Sequence, residues 1–167
     1  MGIKKDFKAG SDGESTVAKL FEPQFFVNKN KSENLADWDL CCVENNVNES
    51  SHYTFTIEVK NDLYAAKSGN IALEFWNSRK DKAAGISATK ANLWAHIIPN
   101  SGVWITSVKK LKDYVDANPS FRTIFSGGDG NADMYLYKMD KILPAIFVEC
   151  SKLTPDELRK TVEDLLE

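Results

Sequence analysis

This sequence of 167 residues has no long apolar run, which argues against a membrane-spanning helix. No stretch approaches the roughly 18 consecutive apolar residues that such a helix needs. The first residues, Met1–Asp6, also lack the apolar segment of a signal peptide. We therefore expect a cytoplasmic protein that does not associate with a membrane.

Cysteine and histidine are scarce, which argues against a disulfide framework and against a zinc site. The three cysteines are Cys41, Cys42 and Cys150, an odd number without C-x-x-C spacing. Cysteines of this kind are typical of reduced thiols in a cytoplasmic protein. The two histidines, His52 and His96, are isolated and show no ligand spacing.

The chain also lacks the excess of positive charge that many nucleic-acid-binding proteins carry. Its formal net charge is −3 at pH 7. Basic residues are nevertheless clustered in one part of the chain, at Lys67, Arg79, Lys80, Lys82 and Lys90. This cluster is either a solvated face or a nucleic-acid surface, and charge alone does not choose between the two. Length and a hydrophobic content of 43% predict a single globular domain over 1–167.

Two neighbouring apolar segments predict the strands that carry the candidate site. In the later segment, which ends at Lys60, apolar and polar side chains alternate as they do in a strand. Glu58 and Lys60 therefore project from one face, and Val59 belongs to the apolar face. The preceding strand is predicted over 38–44. The short polar loop over 45–51 between them predicts an antiparallel hairpin, and this pairing would bring Asp39 close to Glu58.

The other predicted elements are a mixture of helices and strands. In chain order, the full set is a helix over 11–22, strands at 38–44, 53–60 and 71–76, a helix from Ser87 or Thr89 to Ile98, a strand at 103–106, a helix from Ser107, a short helical piece at 119–126, strands at 134–139 and 145–149, and a C-terminal helix from Thr154. This order predicts an α/β fold in which a mixed central sheet is flanked by helices on both faces.

The polar residues at the end of the second strand suit metal-assisted hydrolysis of a phosphodiester. Mg²⁺ binds one or two carboxylates together with waters and substrate oxygens. Asp39 and Glu58 are the predicted carboxylate ligands, the backbone carbonyl of Val59 is a third ligand, and Mn²⁺ is expected to substitute. Lys60 shares the face of Glu58, where a compact ammonium would orient the attacking water or stabilise developing negative charge.

The spacing of these residues resembles the signature of the PD-(D/E)XK nuclease superfamily. Asp39, a gap of eighteen residues (40–57) and then Glu58-Val-Lys60 match that signature, within an element order over about 14–106. The resemblance implies a restriction-endonuclease-like fold. It also implies a Mg²⁺-dependent deoxyribonuclease, an endonuclease of the phage type or one similar to Holliday-junction resolvases.

The resemblance assigns further residues and a partner. Glu14 is similar in place to the carboxylate that many members carry on the first helix, so it is a candidate catalytic residue. DNA is the implied partner, and a homodimer is left open. The implied DNA-binding residues are Arg79, Lys80, Lys82, Thr89 and Lys90. Trp38 stands where many members have proline, and Asp37 is a rival to Asp39 as the metal ligand.

Several of these assignments have a simpler alternative. Glu58 and Lys60 would also suit an exposed cross-strand ion-pair surface, and Glu14 has the spacing from Ser11 of a capping box. Glu74, on the third predicted strand, is either a surface charge or a contributor to the site. For the whole chain, a non-catalytic nucleic-acid-binding module of the same fold and an RNA-directed nuclease stay open as alternative functions.

Overall fold

A computed structural model describes residues 3–30, 37–45, 54–127 and 130–167, with the backbone alone for 3–9. The helices are α1 (Ile3–Phe21), α2 (Ala65–Ser68), α3 (Val108–Ala117), α4 (Met139–Ile146) and α5 (Pro155–Leu166). The strands are β1 (Phe25–Lys29), β2 (Leu40–Glu44), β3 (Thr54–Asn61), β4 (Asn70–Asn77), β5 (Lys82–Ala83), β6 (Leu93–Ile98), β7 (Gly102–Ser107), β8 (Arg122–Gly127), β9 (Ala132–Lys138) and β10 (Val148–Glu149). A 3₁₀ turn covers Gly85–Ser87.

Six strands form one mixed sheet in the order β1-β2-β3-β6-β7-β10. The pair β3–β6 is parallel, and the other neighbours are antiparallel. The mixed sheet and the antiparallel pairing of β2 with β3 are therefore confirmed. The loop predicted between these strands lies outside the described residues except for Asn45.

The remaining strands form a second, antiparallel sheet in the order β5-β4-β9-β8. The strand predicted at 71–76 is β4, and it belongs to this second sheet. The two sheets meet where the N–H of Ala72 donates to Asp62 Oδ2 at 3.2 Å, just beyond the end of β3. The sequence order alone gave no indication that the strands divide into two sheets.

One core lies between the six-stranded sheet and the helices α1 and α5. It includes Val17, Phe21, Phe55, Ile57, Leu93, Ile105, Leu158 and Val162. Because β3 sends Phe55 and Ile57 into this core, strand alternation places Glu58 and Lys60 on the opposite face of the sheet. This confirms the predicted facing of the two polar residues.

A second core fills the space between the two sheets and the helices α3 and α4. It includes Ile71, Leu73, Trp94, Ile98, Leu111, Tyr137 and Ile142. The six-stranded sheet is therefore covered by α1 and α5 on one face and by α3 and α4 on the other. Glu58 and Lys60 lie on the side of this second core, close to the second sheet.

The helix predicted to begin at Ser87 or Thr89 is wrong, because Leu93–Ile98 forms β6 in the middle of the sheet. Ala95 faces the first core and Trp94 faces the second. A strand buried on both faces has a continuous apolar sequence without alternation. Such a run cannot be distinguished from a buried helix by its periodicity.

The start of the first helix is also wrong. Helix α1 begins at Ile3, so Ser11 lies inside it and does not cap it. The Ser15 hydroxyl donates to the Ser11 carbonyl at 2.8 Å, as a serine within a helix does. The capping-box alternative for Glu14 is therefore excluded, and Glu14 projects from the middle of the helix.

Two later elements differ from their predictions. The helical piece predicted at 119–126 is largely the edge strand β8, and the strand predicted at 145–149 contains the end of α4 followed by the two-residue strand β10. The helices after Ser107 and Thr154 are confirmed. The Thr154 hydroxyl accepts from the N–H of Glu157, and the Glu157 side chain accepts from the N–H of Thr154. None of the described helices is long and apolar enough to cross a membrane.

Candidate active site

The carboxylate of Asp39 lies where strands β2 and β3 separate. Leu40 pairs with Ile57 in the antiparallel ladder, so Asp39, one residue earlier, lies beside Glu58. Strand β2 extends no further, and the N–H of Val59 donates to Asp39 Oδ2 at 2.7 Å. This hydrogen bond fixes the Asp39 carboxylate over the end of β3. Because the N–H and C=O of one strand residue point to the same side, the Val59 carbonyl also faces Asp39.

The neighbouring carboxylate, Glu58, is half-buried and is held by Thr89. Thr89 Oγ1 donates to Glu58 Oε2 at 3.1 Å and accepts from the N–H of Ala91 at 3.2 Å. Burial, and then the charge of Asp39, raises the pKa of Glu58 to about 8. The Thr89 hydroxyl and the Lys60 ammonium oppose this rise without cancelling it. Glu58 therefore binds a positive charge more readily than a solvent-exposed glutamate does.

The pKa of Asp39 and that of Glu14 are raised as well. Burial raises the pKa of Asp39, and the hydrogen bond from Val59 limits the rise. Burial also raises the pKa of Glu14, with a further contribution from the charge of Asp39. Glu14 Oε2 lies 3.8 Å from Lys29 Nζ, and this ion pair partly compensates its charge. Glu14 therefore lies at the border of the Asp39 site, within electrostatic reach of it.

A glycine lets helix α1 bring Glu14 to this position. A Cβ atom at Gly13 would lie 3.1 Å from the Cβ atom of Asn61 and 3.3 Å from Cδ1 of Ile97. Larger side chains at this position would push the helix away from the end of β3. The sequence contained this signal, a glycine directly before the candidate carboxylate, but only the structure shows which strand it approaches.

Lys60 and Glu74 complete the charged surroundings of Glu58. The Lys60 ammonium lowers the pKa of Glu58 and that of Asp62, so it acts on carboxylates on both sides of it. Glu74, on β4 of the second sheet, raises the pKa of Glu58 through its charge. Gly85, with φ of +48°, lets the 3₁₀ turn pack directly against the Glu74 carbonyl, where a Cβ atom would collide. The structure therefore places Glu74 near the site.

The rival carboxylate, Asp37, is bound to Lys90. Lys90 Nζ lies 3.2 Å from Asp37 Oδ2, and the N–H of Lys90 donates to the Asp37 carbonyl at 3.0 Å. The Lys90 side chain is 72% exposed, so this ion pair contributes little to stability. Neither Thr89 nor Lys90 lies on a helix. Thr89 is buried beside Glu58 and Lys90 is exposed, so the two predicted DNA-binding residues occupy different environments.

The other predicted DNA-binding residues lie at the turn between β4 and β5. Arg79, Lys80 and Lys82 are all exposed there. The N–H of Lys80 donates to Asn77 Oδ1 at 2.9 Å, and Asp81 has φ of +46°, as a tight turn requires. These three cations therefore belong to the second sheet, on a different element from the strands that hold Asp39 and Glu58.

A buried hydrogen-bond network next to Lys60 was not predicted from the sequence. Trp94 Nε1 donates to His96 Nδ1 at 3.2 Å, and His96 Nε2 lies 3.2 Å from Asp62 Oδ2. An indole N–H can only donate, so His96 Nδ1 is the acceptor and Nε2 carries the proton that is donated to Asp62. Burial lowers the pKa of His96, which agrees with a neutral ring. No sequence signal pointed to this network, because Trp94 and His96 lie in the predicted helix and Asp62 lies between predicted elements.

The oxygen atoms present fit a hard divalent cation in number and chemistry. Across the described part of the chain, no group of three or more histidine, cysteine, aspartate or glutamate side chains is arranged to hold a metal ion. Mg²⁺ and Mn²⁺ need fewer, because they bind carboxylate and carbonyl oxygens and keep several waters. Asp39, Glu58 and the Val59 carbonyl supply such a set. The raised pKa values of the two carboxylates indicate that their charges lack full compensation from the protein.

Comparisons of this chain with protein families, with curated proteins and with solved structures gave no match. Functional inference therefore depends on the geometry and chemistry of the residues described above.

Proposed function

We propose that this chain is a divalent-metal-dependent nuclease that hydrolyses phosphodiester bonds in DNA as an endonuclease. The proposal includes a restriction-endonuclease-like arrangement of the PD-(D/E)XK kind, with DNA as the partner. One observation carries it: two half-buried carboxylates with raised pKa values lie side by side, and the Lys60 ammonium projects from the same strand face as Glu58.

Each residue of the proposed site has a distinct role. Asp39 and Glu58, with the Val59 carbonyl, would hold Mg²⁺ or Mn²⁺. When bound, the cation would supply positive charge to the phosphate and lower the pKa of a coordinated water. Lys60 would donate to the attacking water or to a phosphate oxygen, where its charge favours the transition state over the ground state. Thr89 would orient Glu58.

A second function, a non-catalytic nucleic-acid-binding module, is favoured by one observation. The exposed cations Arg79, Lys80 and Lys82 lie at the turn between β4 and β5, on a different element from Asp39 and Glu58. A protein that only binds nucleic acid would need the exposed cations but not the two carboxylates. Neutralising Asp39 or Glu58 would then leave its function unchanged.

A cleavage assay on a panel of substrates tests the proposal. Labelled duplex DNA, a four-way DNA junction, single-stranded DNA and RNA are incubated with Mg²⁺, Mn²⁺, Ca²⁺ or EDTA. We expect cleavage of DNA with Mg²⁺ or Mn²⁺ by the parent protein, and loss of cleavage in Asp39→Asn and Glu58→Gln. The matched control is Asp37→Asn, which removes a neighbouring carboxylate bound to Lys90 and should retain cleavage.

Three results would overturn the proposal. Absence of cleavage on every substrate, combined with salt-dependent binding of DNA, would identify the binding module. Cleavage of RNA alone would identify an RNA-directed nuclease of the same site. Equal activity of the parent and Glu58→Gln would also remove the assigned carboxylate from the mechanism.

A further inference from the structure

The second sheet has an apolar outer face that neither core uses. In β4, Ile71 and Leu73 point into the second core, and in β9, Tyr135 and Tyr137 do so. Alternation therefore sends the intervening side chains to the other side of the sheet. That side, here named the outer face, is formed by Ala72, Ile124, Met134 and Leu136, all of them half-buried. Among the described residues, neither core includes any of the four.

The register of the sheet connects this outer face to the candidate active site. Arg122 pairs with Leu136, which pairs with Ala72. In the next row, Ile124 pairs with Met134, which pairs with Glu74. The N–H of Ala72 on β4 donates to Asp62 Oδ2 at 3.2 Å, so this strand contacts the end of β3, which carries Glu58. The apolar surface therefore runs from Arg122 at one edge to the carboxylates at the other.

Two cations and one exposed aromatic ring border the outer face on the side away from the carboxylates. Arg122 is exposed on the edge strand β8. Lys138 Nζ lies 4.4 Å from the centroid of the Phe121 ring and 3.1 Å from Asn70 Oδ1. The Phe121 side chain, beneath Lys138, is 50% exposed. Apolar and aromatic side chains beside cations are complementary to a ligand that combines anionic phosphates with flat aromatic rings.

We propose that the outer face binds a single-stranded nucleic-acid segment that adjoins the phosphate to be cleaved. This inference rests on the proposed function and adds the structure of the substrate to it. Strands β8 and β4 are two strand spacings apart, about 10 Å. A nucleic-acid strand that crosses this width can bring its phosphates to Arg122 and Lys138 and continue past β4 towards Glu58. Unpaired bases then contact the apolar surface and Phe121, as bases stack on aromatic side chains in single-strand binding proteins.

The chemistry favours a single strand over a duplex. Base faces are stacked and hidden in a duplex, so a duplex would offer mainly its phosphates to Ala72, Met134 and Leu136. Phosphates do not gain from contact with apolar side chains. The preferred cleavage substrate is therefore DNA with an overhang or a flap next to the cleaved bond.

Binding of a short fluorescent thymidine oligonucleotide in EDTA tests this inference without cleavage. Met134→Ser/Leu136→Ser should weaken binding about tenfold, or about 1.4 kcal/mol, because the apolar contact with the bases is lost. Arg122→Ala should weaken it severalfold and make the salt dependence shallower by about one unit. Lys19→Ala, which removes an exposed lysine from α1, is the matched control and should leave both quantities unchanged. Binding of a blunt duplex should change little in the double variant.

The outcomes separate this inference from the proposed function. If Glu58→Gln loses cleavage but binds the oligonucleotide normally, the nuclease function and the binding role of the outer face are both supported. If the parent protein binds the oligonucleotide but never cleaves, only the binding role of the outer face is supported. Unchanged oligonucleotide binding in Met134→Ser/Leu136→Ser and in Arg122→Ala overturns the inference. So does sedimentation showing that the double variant dissociates a dimer, because the outer face would then contact a second copy of the chain. Arg122→Ala alters an exposed side chain, so misfolding of the double variant would not remove the test.

Discussion

Two carboxylates at the end of strand β3 lie four positions apart and have opposite electrostatic behaviour. The pKa of Glu58 is raised to about 8, first by burial and then by Asp39. Burial also acts to raise the pKa of Asp62, but the hydrogen bond from His96 and that from the N–H of Ala72 hold it below its ordinary value. The positive charge of Lys60 acts to lower the pKa of both carboxylates.

The difference comes from the number of donors that the protein provides. Asp62 Oδ1 accepts from the N–H groups of Tyr64 and Ala65, and Oδ2 accepts from Ala72 and His96. Glu58 accepts from the Thr89 hydroxyl and faces a second carboxylate. The charge of Asp62 is therefore used to join the two sheets, while that of Glu58 remains available to a cation. Burial of a carboxylate alone does not separate a structural role from a catalytic one.

Replacement of the ammonium that lies between the two carboxylates should have the largest effect. We expect Lys60→Ala to lower the single-turnover cleavage rate about 10²–10³-fold, as loss of one electrostatic stabiliser does. Metal and DNA affinity should change little, because the protonated side chain cannot bind Mg²⁺. Lys60→Arg should restore little of the rate, since the broad guanidinium cannot replace a compact ammonium near a bound water. Cleavage by Lys60→Ala at the parental rate would show that the Glu-Val-Lys strand is not a nuclease motif.

Removal of the structural carboxylate should have the next largest effect, and on stability. Asp62→Ala leaves buried N–H groups and the His96 ring without an acceptor, so we expect the free energy of unfolding to fall by about 3 kcal/mol. Denaturant unfolding measures this change. The control is Asp113→Ala, which removes an exposed ion pair with Lys109 and should cost less than about 0.5 kcal/mol. Equal stability of the two variants would contradict the structural role of Asp62.

The raised pKa of Glu58 predicts how stability changes with pH in the absence of metal. Its ordinary value is 4.5, and its folded-state value is about 8. Between these values the folded protein keeps a proton that the unfolded chain releases, so the free energy of unfolding falls as pH rises. We expect a loss of about 2 kcal/mol after allowance for solvent screening. Urea unfolding in EDTA should show this decline in the parent and a smaller decline in Glu58→Gln.

The hydroxyl that holds Glu58 should give the smallest effect. It donates to the ionised carboxylate, so Thr89→Val should raise the pKa of Glu58 further, by less than about one unit. The pH dependence of single-turnover cleavage should move upward accordingly. Thr106→Val is the control, because Thr106 is buried in the same sheet and its hydroxyl has no hydrogen-bond partner among the described residues. A pH profile of Thr89→Val identical to that of Thr106→Val would exclude the orienting role.

The strand hairpin and the facing of Glu58 could be predicted from sequence because that strand is buried on one face only. Its alternating pattern identifies the strand and shows which residues share a face. Strand β6 is buried on both faces, so its sequence shows no such alternation and was interpreted as a helix. The error moved Thr89, Lys90 and His96 to a wrong element and concealed the contact between Thr89 and Glu58.

The division into two sheets could not be predicted for a different reason. Strands β4 and β9 pair although a long interval of sequence separates them, and local patterns do not specify which distant strand a given strand will pair with. The Asp62–His96 pair likewise depends on a pairing between strands distant in sequence, that of β3 with β6. Asp62 has no sequence signal of its own, since its partners come from α2, β4 and β6.

Isothermal titration calorimetry with Mn²⁺ tests the central distinction between the two carboxylates most directly. The parent should bind Mn²⁺ and release protons below pH 8, because the metal replaces the proton held by Glu58. Glu58→Gln should bind about tenfold or more weakly, with proton release reduced and stability undiminished. Asp37→Asn, the matched control, should behave as the parent does. Parental Mn²⁺ affinity in Glu58→Gln would contradict the account, and so would failure of the parent to bind Mn²⁺ at all.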